Sequence, residues 1–375
     1  MDLVAAGDGG APVPTHEDHG GHGSHDHGEL GEHGGHGGGG QPPGIEPHFM
    51  SMADLTKGKP VRPDGLIMEW ITVPFGPFFP GLPGGLGLDL TLDGDSVAET
   101  LIWGTDAATV PQETPVAELA DRLADACPLA PVAMRELACR AIEAATGMVP
   151  EPATAIARAA AAERERIASH LNWLIGFAHQ TGLTSLERRA AALRRCLRAA
   201  GAEAIGREAT AIRGFLTRVQ ATPLLRLKLG GIGKMDSAPE GPAARAAGRA
   251  VDARRDDPAY EALGFETLTG DGGDALARLR LRCAAIAQSL DLIARAGTIA
   301  LPSAVPDATL SGHGMAIVET PRGPATLHLE LKDGAVETAR LTTPFAALAE
   351  LVPAMVAQME LADALIAIGS IDLDP

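Results

Sequence analysis

The stretch Glu163-Arg164-Glu165-Arg166-Ile167-Ala168-Ser169-His170-Leu171-Asn172-Trp173-Leu174 decides how the chain is read, because it lies inside its most regular segment, Ala153 to Thr181. There Ile167, Leu171, Leu174 and Ala178 recur at i, i+4, i+7 and i+11, which puts them on one stripe of an α-helix. Gly182 is the stop, since glycine takes the left-handed turn after a helix without a Cβ clash. Glu163, Arg166 and His170 stand at i, i+3 and i+7, so they share another face of that helix. Two readings of this face stay open: an intramolecular ion pair that positions the helices, or a polar path through the interior.

Outward from this segment the helical pattern repeats. Ser185 to Ala200, Ala202 to Gln220 and Gly273 to Ala296 have the same character, so residues 111–300 are predicted to form a helical bundle. An irregular insert, 223–272, interrupts it and carries Leu229-Gly230-Gly231-Ile232-Gly233 and the charged run Arg254-Arg255-Asp256-Asp257. That run reads as a surface turn or an interface clamp. Residues 49–110 read as a β-hairpin region. Leu66 to Val73 is β-rich, Leu88 to Leu92 alternates, Asp93-Gly94-Asp95 turns the chain and Val97 to Trp103 returns it. In 301–375, Ala316 to Thr320 pairs with Thr326 to Leu331 across Pro321-Arg322-Gly323-Pro324, and a final helix runs from Phe345 to Ile368. His313, between Gly312 and Gly314, reads as a turn residue with no acidic partner in view. The predicted class is α+β: a central helical bundle with small antiparallel sheets at its N- and C-terminal sides.

Composition narrows the function. A net charge of −17 over 375 residues argues against nucleic acid, whose phosphates call for a basic face. The four cysteines, Cys127, Cys139, Cys196 and Cys283, form no close pair. They therefore suggest neither a disulfide framework nor zinc-finger spacing, and they suit a reducing cytoplasm. The longest uncharged run, Ile71 to Leu88, holds Pro74, Pro77, Pro80 and Pro83 and reads as a loop, not a membrane span. The N-terminus shows no export signal. Residues 1–48 hold eight acids, no Lys or Arg, and many glycines. With no apolar periodicity there, they are expected to be a disordered tail. Its His16, His19, His22, His25, His27, His33 and His36 are candidate ligands for nickel or zinc, because clustered imidazoles chelate such ions. No P-loop, nucleophile elbow or dinucleotide fingerprint is present.

Five segments, in order, resemble the large subunit shared by membrane-bound [NiFe] hydrogenases and respiratory complex I (the NADH-quinone oxidoreductase D subunit). They are Val73-Pro74-Phe75-Gly76-Pro77 with Leu92-Asp93-Gly94-Asp95; Glu163 to Leu174; Leu229-Gly230-Gly231-Ile232; Arg254-Arg255-Asp256-Asp257-Pro258 with Asp274 to Arg278 and Gln288-Ser289-Leu290; and Val318-Glu319-Thr320-Pro321-Arg322-Gly323 with Gly369-Ser370-Ile371-Asp372. The hydrogenases of this family hold nickel and iron with two C-x-x-C pairs. At the first pair this sequence reads Cys127-Pro128-Leu129-Ala130, and the second would follow Asp372, where only Leu373-Asp374-Pro375 remain. The resemblance therefore implies a divergent member without a nickel–iron centre, with Cys127 acting as a small buried hydrophobe.

In complex I the vacated cavity takes quinone, with a His in the opening hairpin and a Tyr nearby. Here Phe79 stands at the His position, and Tyr260, far along the chain, is the only tyrosine. The cavity candidates implied by the resemblance are Phe79, Cys127, His170, Glu319 and Arg322. The expected role is a large subunit of a hydrogenase- or complex-I-like oxidoreductase that shapes a quinone-like acceptor cavity. It would dock a small iron–sulfur subunit and membrane subunits at the cytoplasmic face of the inner membrane, with nicotinamide bound by another subunit. The alternative is a non-catalytic scaffold or a nickel-handling protein acting through its tail.

Overall fold

The computed structural model describes residues 70–76, 86–103, 111–197, 200–235, 238, 240–303 and 310–373. The His-rich stretch 1–48 and the loop bearing Phe79 lie outside these described residues. The chain divides at Met52/Ala53, and everything below belongs to the second part.

Three strands come first: β1 (Trp70–Phe75), β2 (Gly87–Asp93) and β3 (Ser96–Trp103), antiparallel in that order. Helices follow: α1 (Val116–Ala126), α2 (Pro131–Thr146), α3 (Pro152–Gln180), α4 (Thr184–Leu197), α5 (Ala202–Gln220), α6 (Leu225–Leu229), α7 (Gly241–Ala246), α8 (Pro258–Ala262) and α9 (Ala275–Ala296). A second antiparallel sheet, β4 (Gly312–Thr320), β5 (Gly323–Lys332) and β6 (Ala335–Thr342), leads into α10 (Pro344–Ala349), α11 (Val352–Val356) and α12 (Leu361–Ile371). The α+β class read from the sequence is the observed one.

Three apolar clusters hold most of these elements, while α8 packs in a smaller one with Leu263 and Leu292. The stripe of α3, Ile167, Leu171, Leu174 and Ala178, is buried against Leu193 of α4, Phe215 and Val219 of α5, and Leu279, Ile286 and Leu290 of α9. Each such aliphatic side chain contributes about 1.5–3 kcal/mol by leaving water. In β2 the alternating Leu88, Leu90 and Leu92 face Val352, Met355 and Ile368 of the C-terminal helices. In β5 the alternating Leu327, Leu329 and Leu331 face Leu119 and Leu123 of α1 and Leu137 and Ile142 of α2. The contact of β4 with α2 is close enough to dictate composition. A Cβ on Gly314 would stand 2.1 Å from the Ala141 carbonyl oxygen, and one on Gly312 equally near that of Ala145.

Several expectations need correction. The second sheet has a third strand, β6, which its mixed polar sequence concealed, since only Val336 along it is deeply buried. The single C-terminal helix is three. Pro353 enters α11 in its first turn and Gln358, at φ 63°, breaks the chain after it, because Pro cannot continue a preceding helical ladder. His313 is a strand residue, not a turn residue, opposite Glu330 with 3.6 Å between Nε2 and Oε1. The insert 223–272 contains α6, α7 and α8.

Candidate functional site

The polar face of α3 is where the charged residues of distant segments meet. Glu163, fully buried, accepts hydrogen bonds from Arg166 (3.2 Å), Arg254 (3.1 Å), the Tyr260 hydroxyl (2.8 Å) and the Ser289 hydroxyl (2.5 Å). Burial alone would raise its pKa, but the cations Arg166 and Arg254, helped by the two hydroxyls, hold the carboxyl at about 2. The remaining nitrogens of Arg166 donate to the backbone carbonyls of Thr320 (2.9 Å) and Glu319 (2.6 Å), tying the β4–β5 turn to α3. Arg254 grips Asp252 through two bonds of 2.9 and 2.6 Å, and its guanidinium lies 4.3 Å over the Phe265 ring. Arg245 joins Asp252 (3.1 Å) to the Glu319 carboxylate (2.7 Å).

A second knot lies beside the first. Arg282 of α9 sits over the Trp173 ring at 4.6 Å and donates to His170 Nδ1 (3.1 Å), Asp372 Oδ2 (3.3 Å) and the Ile371 carbonyl (3.3 Å). A guanidinium only donates, so His170 Nδ1 is an acceptor and its proton is on Nε2. Burial and the neighbouring Arg282 press the imidazole pKa well below its ordinary value, which keeps the ring neutral. Arg322, in the β4–β5 turn, reaches Asp372 Oδ1 (3.3 Å) and the Leu129 carbonyl (3.5 Å). One turn along α9 from Arg282, Arg278 donates to Ser370 Oγ (2.9 Å). The loop after Cys127, the β4–β5 turn and the end of α12 thus converge on an Arg282–Asp372–Arg322 clamp.

Next to the clamp is a cavity of about 270 Å³ lined by Leu129, Val132, Arg164, Glu165, Ser169 and Asn172, among others. Its location follows from how α2 starts. Ala130, the residue before the helix, has no side chain to cap it, so the first amide donors need another acceptor. The Glu165 carboxylate supplies it from α3, accepting from Val132 N (2.5 Å) and Ala133 N (2.9 Å). Burial nevertheless dominates these hydrogen bonds and pushes the Glu165 carboxyl up to about 7.

Residues 233–303, which supply Arg245, Asp252, Arg254, Tyr260, Arg278, Arg282 and Ser289 to these knots, match the family model described as the respiratory-chain NADH dehydrogenase 49 kDa subunit. Over these residues the chain is similar to that 49 kDa subunit. Among solved structures, 162 chains match it. One belongs to the membrane-bound sulfane sulfur reductase (MBS), described as an archaeal respiratory membrane complex. It is 22% identical, with a TM-score of 0.72 over 82% of this chain and 97% of that one. No curated protein matches.

The residues named from the sequence fall into three groups. His170 and Arg322 meet through Arg282 and Asp372, while Glu319 belongs to the neighbouring Arg245–Asp252 knot. Cys127 closes α1 in a half-buried position, more exposed than the buried hydrophobe expected. Phe79 and the tail histidines lie outside the described residues. The run 254–257 is not a surface turn, since Arg254 and Asp257 are buried and only Arg255 and Asp256 are exposed. Their burial is tolerable because each is fully paired: Asp257 caps α8 through Ala259 N (2.8 Å) and binds Arg140 (2.6 Å).

Sequence reasoning missed Arg282, Arg278, Arg245 and the cap role of Glu165. A signal existed for the first two. Leu276, Leu279, Leu281, Cys283 and Ile286 surround α9 on several sides, and a helix apolar all round lies in the interior, arginines included.

The residues present do not fit a nickel–iron centre. Position 127 keeps one thiol, position 130 is alanine, and Asp372 is engaged by two guanidiniums whose charge would repel metal cations. Among the described residues no group of three or more His, Cys, Asp or Glu side chains is placed to hold a metal ion.

Proposed function

We propose that this chain is the non-nickel–iron large subunit of a complex-I-like electron-transfer assembly of the NADH-quinone oxidoreductase type. It docks a small iron–sulfur subunit and membrane subunits, and the cavity beside the Cys127 loop receives a quinone-like acceptor. The observation that carries this reading is the Arg282–Asp372–Arg322 clamp. It closes the position that the family resemblance gives to metal and leaves the adjoining cavity beside Glu165 open. Reduction of a quinone takes up two protons with two electrons, so a positioned acid with affinity near neutrality is the group the reaction needs. Glu165 has that affinity, and Ser169, Asn172 and Arg164 place hydrogen-bond donors around the same space.

The 49 kDa family match and the MBS-like fold support a place in a membrane-associated assembly. Among the described residues no helix is long and apolar enough to cross a membrane, so attachment would be peripheral, through partner subunits on the cytoplasmic face.

The test is isolation of the tagged full chain from native membranes in mild detergent, followed by quinone-dependent turnover. Iron–sulfur and membrane subunits should co-purify, and Ser169→Leu, which fills the cavity, should abolish quinone reduction while leaving the assembly intact. Recovery of a free monomer would remove the assembly. Unchanged turnover in Ser169→Leu would remove the acceptor site.

A further inference from the structure

A small cavity inside the arginine network is lined largely by guanidiniums. Arg166, Arg245, Arg254 and Arg282 border it together with His170, and the rest of the wall is largely apolar, from Pro242, Leu268, Leu281 and Ala285. Its volume of about 10 Å³ is near the lower limit for one water-sized occupant. The four arginines and the histidine are each at least 95% buried.

Five buried arginines, 166, 245, 254, 282 and 322, share the four buried acids Glu163, Asp252, Glu319 and Asp372, with Glu165 as a fifth acid close by. Positive charge is therefore in excess by one while Glu165 is protonated, and balanced when it is ionised. The acids are also committed, each already holding the guanidiniums described above. One donor of the cage is left over. Nε of Arg282 is buried and meets no hydrogen-bond acceptor among the described residues, whereas the other two nitrogens of that side chain are bonded. A buried charged donor without an acceptor is costly, more so than a neutral one. His170, which also borders the space, holds its proton on Nε2.

We propose that this cavity is a binding site for one small monovalent anion of halide size, which under cellular conditions is chloride. A single acceptor-only sphere satisfies several convergent N–H donors at once and neutralises the charge in excess while Glu165 is protonated. A water molecule fills the space but leaves that charge unbalanced and adds two protons to a wall made of donors. Carboxylates and phosphates are too large for it. The anion locks α3, α7 and α9 to the loop 247–257 that bears Arg254, so its effect is expected on stability.

The experiment uses the purified full chain in chloride, bromide or gluconate at equal ionic strength. Chloride and bromide should raise the unfolding temperature saturably relative to gluconate, as binding to the folded state alone requires, and Arg282→Gln should lose the halide dependence. Because that variant also loosens Asp372 and could unfold, crystals of the unaltered protein grown in bromide provide a second readout. An anomalous peak among Arg166, Arg245, Arg254 and Arg282 supports the site. Water only at that position, or equal unfolding temperatures in all three salts, overturns it.

Discussion

Glu163 shows how one residue can govern a site. Its carboxylate bridges Arg166 and Arg254 and receives Tyr260 and Ser289, so removing it strands the buried Arg166 and leaves Arg254 to Asp252 alone. We expect Glu163→Ala to lose about 3–5 kcal/mol in urea unfolding, the usual cost of breaking a buried pair on one side. Ser289→Ala, which removes one hydroxyl donor from the ionised carboxylate, should lose about 1.5–3 kcal/mol. The acid limb follows from the same geometry. With the carboxyl held at about 2 instead of its ordinary 4.5, the ionised group stabilises the fold fully above pH 4.5. That contribution drains as pH falls from 4.5 towards 2. A denaturation midpoint that stayed flat across this window would contradict the network. At this scale the sequence showed that Glu163 and Arg166 share a face, but not that Arg254 completes the pair, because nothing local links the insert to α3.

Among the elements, the seam between β4 and α2 is the least forgiving. Gly314 has no room for a side chain, because its Cβ would meet backbone atoms, the Ala141 oxygen at 2.1 Å and the Ala145 nitrogen at 2.7 Å. Gly147 is the control: it takes the left-handed turn after α2 at φ 71° with nothing within 4 Å of an added Cβ. Gly147→Ala should cost about 1–2 kcal/mol, the strain of that conformation alone. Gly314→Ala should cost more, and Gly314→Val should give insoluble or unfolded protein. Similar midpoints for the two alanine variants would mean that sheet and helix separate easily.

The periodic elements were legible because each carries its own stripe: the four buried positions of α3 and the alternating leucines of β2 and β5. The broken helix α10–α12 was not, since an apolar run reads as helix until a proline and a left-handed glutamine are placed by tertiary packing.

For the whole molecule, the His-rich segment and residues 70–373 are expected to be separable in function. Removing residues 1–48 should abolish nickel and zinc uptake measured by elemental analysis, while the unfolding temperature of the remainder stays unchanged. Metal retained after the deletion would point to a site beyond that segment. It would also contradict the misfit argued from Cys127, Ala130 and the clamp on Asp372.

By itself the sequence determined the class of the fold, the stripes that pack it and the family it resembles, because helix and strand periodicities are local and the motif segments are contiguous. It also showed that the stretch 127–130 carries a single thiol. Only the tertiary structure decided which charges answer one another. Glu163 meets Arg254 across 91 residues and Arg282 meets Asp372 across 90, so neither pair leaves a spacing to read. Burial in a common low-dielectric interior is what forces these groups together, since a charge removed from water is stable only beside its opposite.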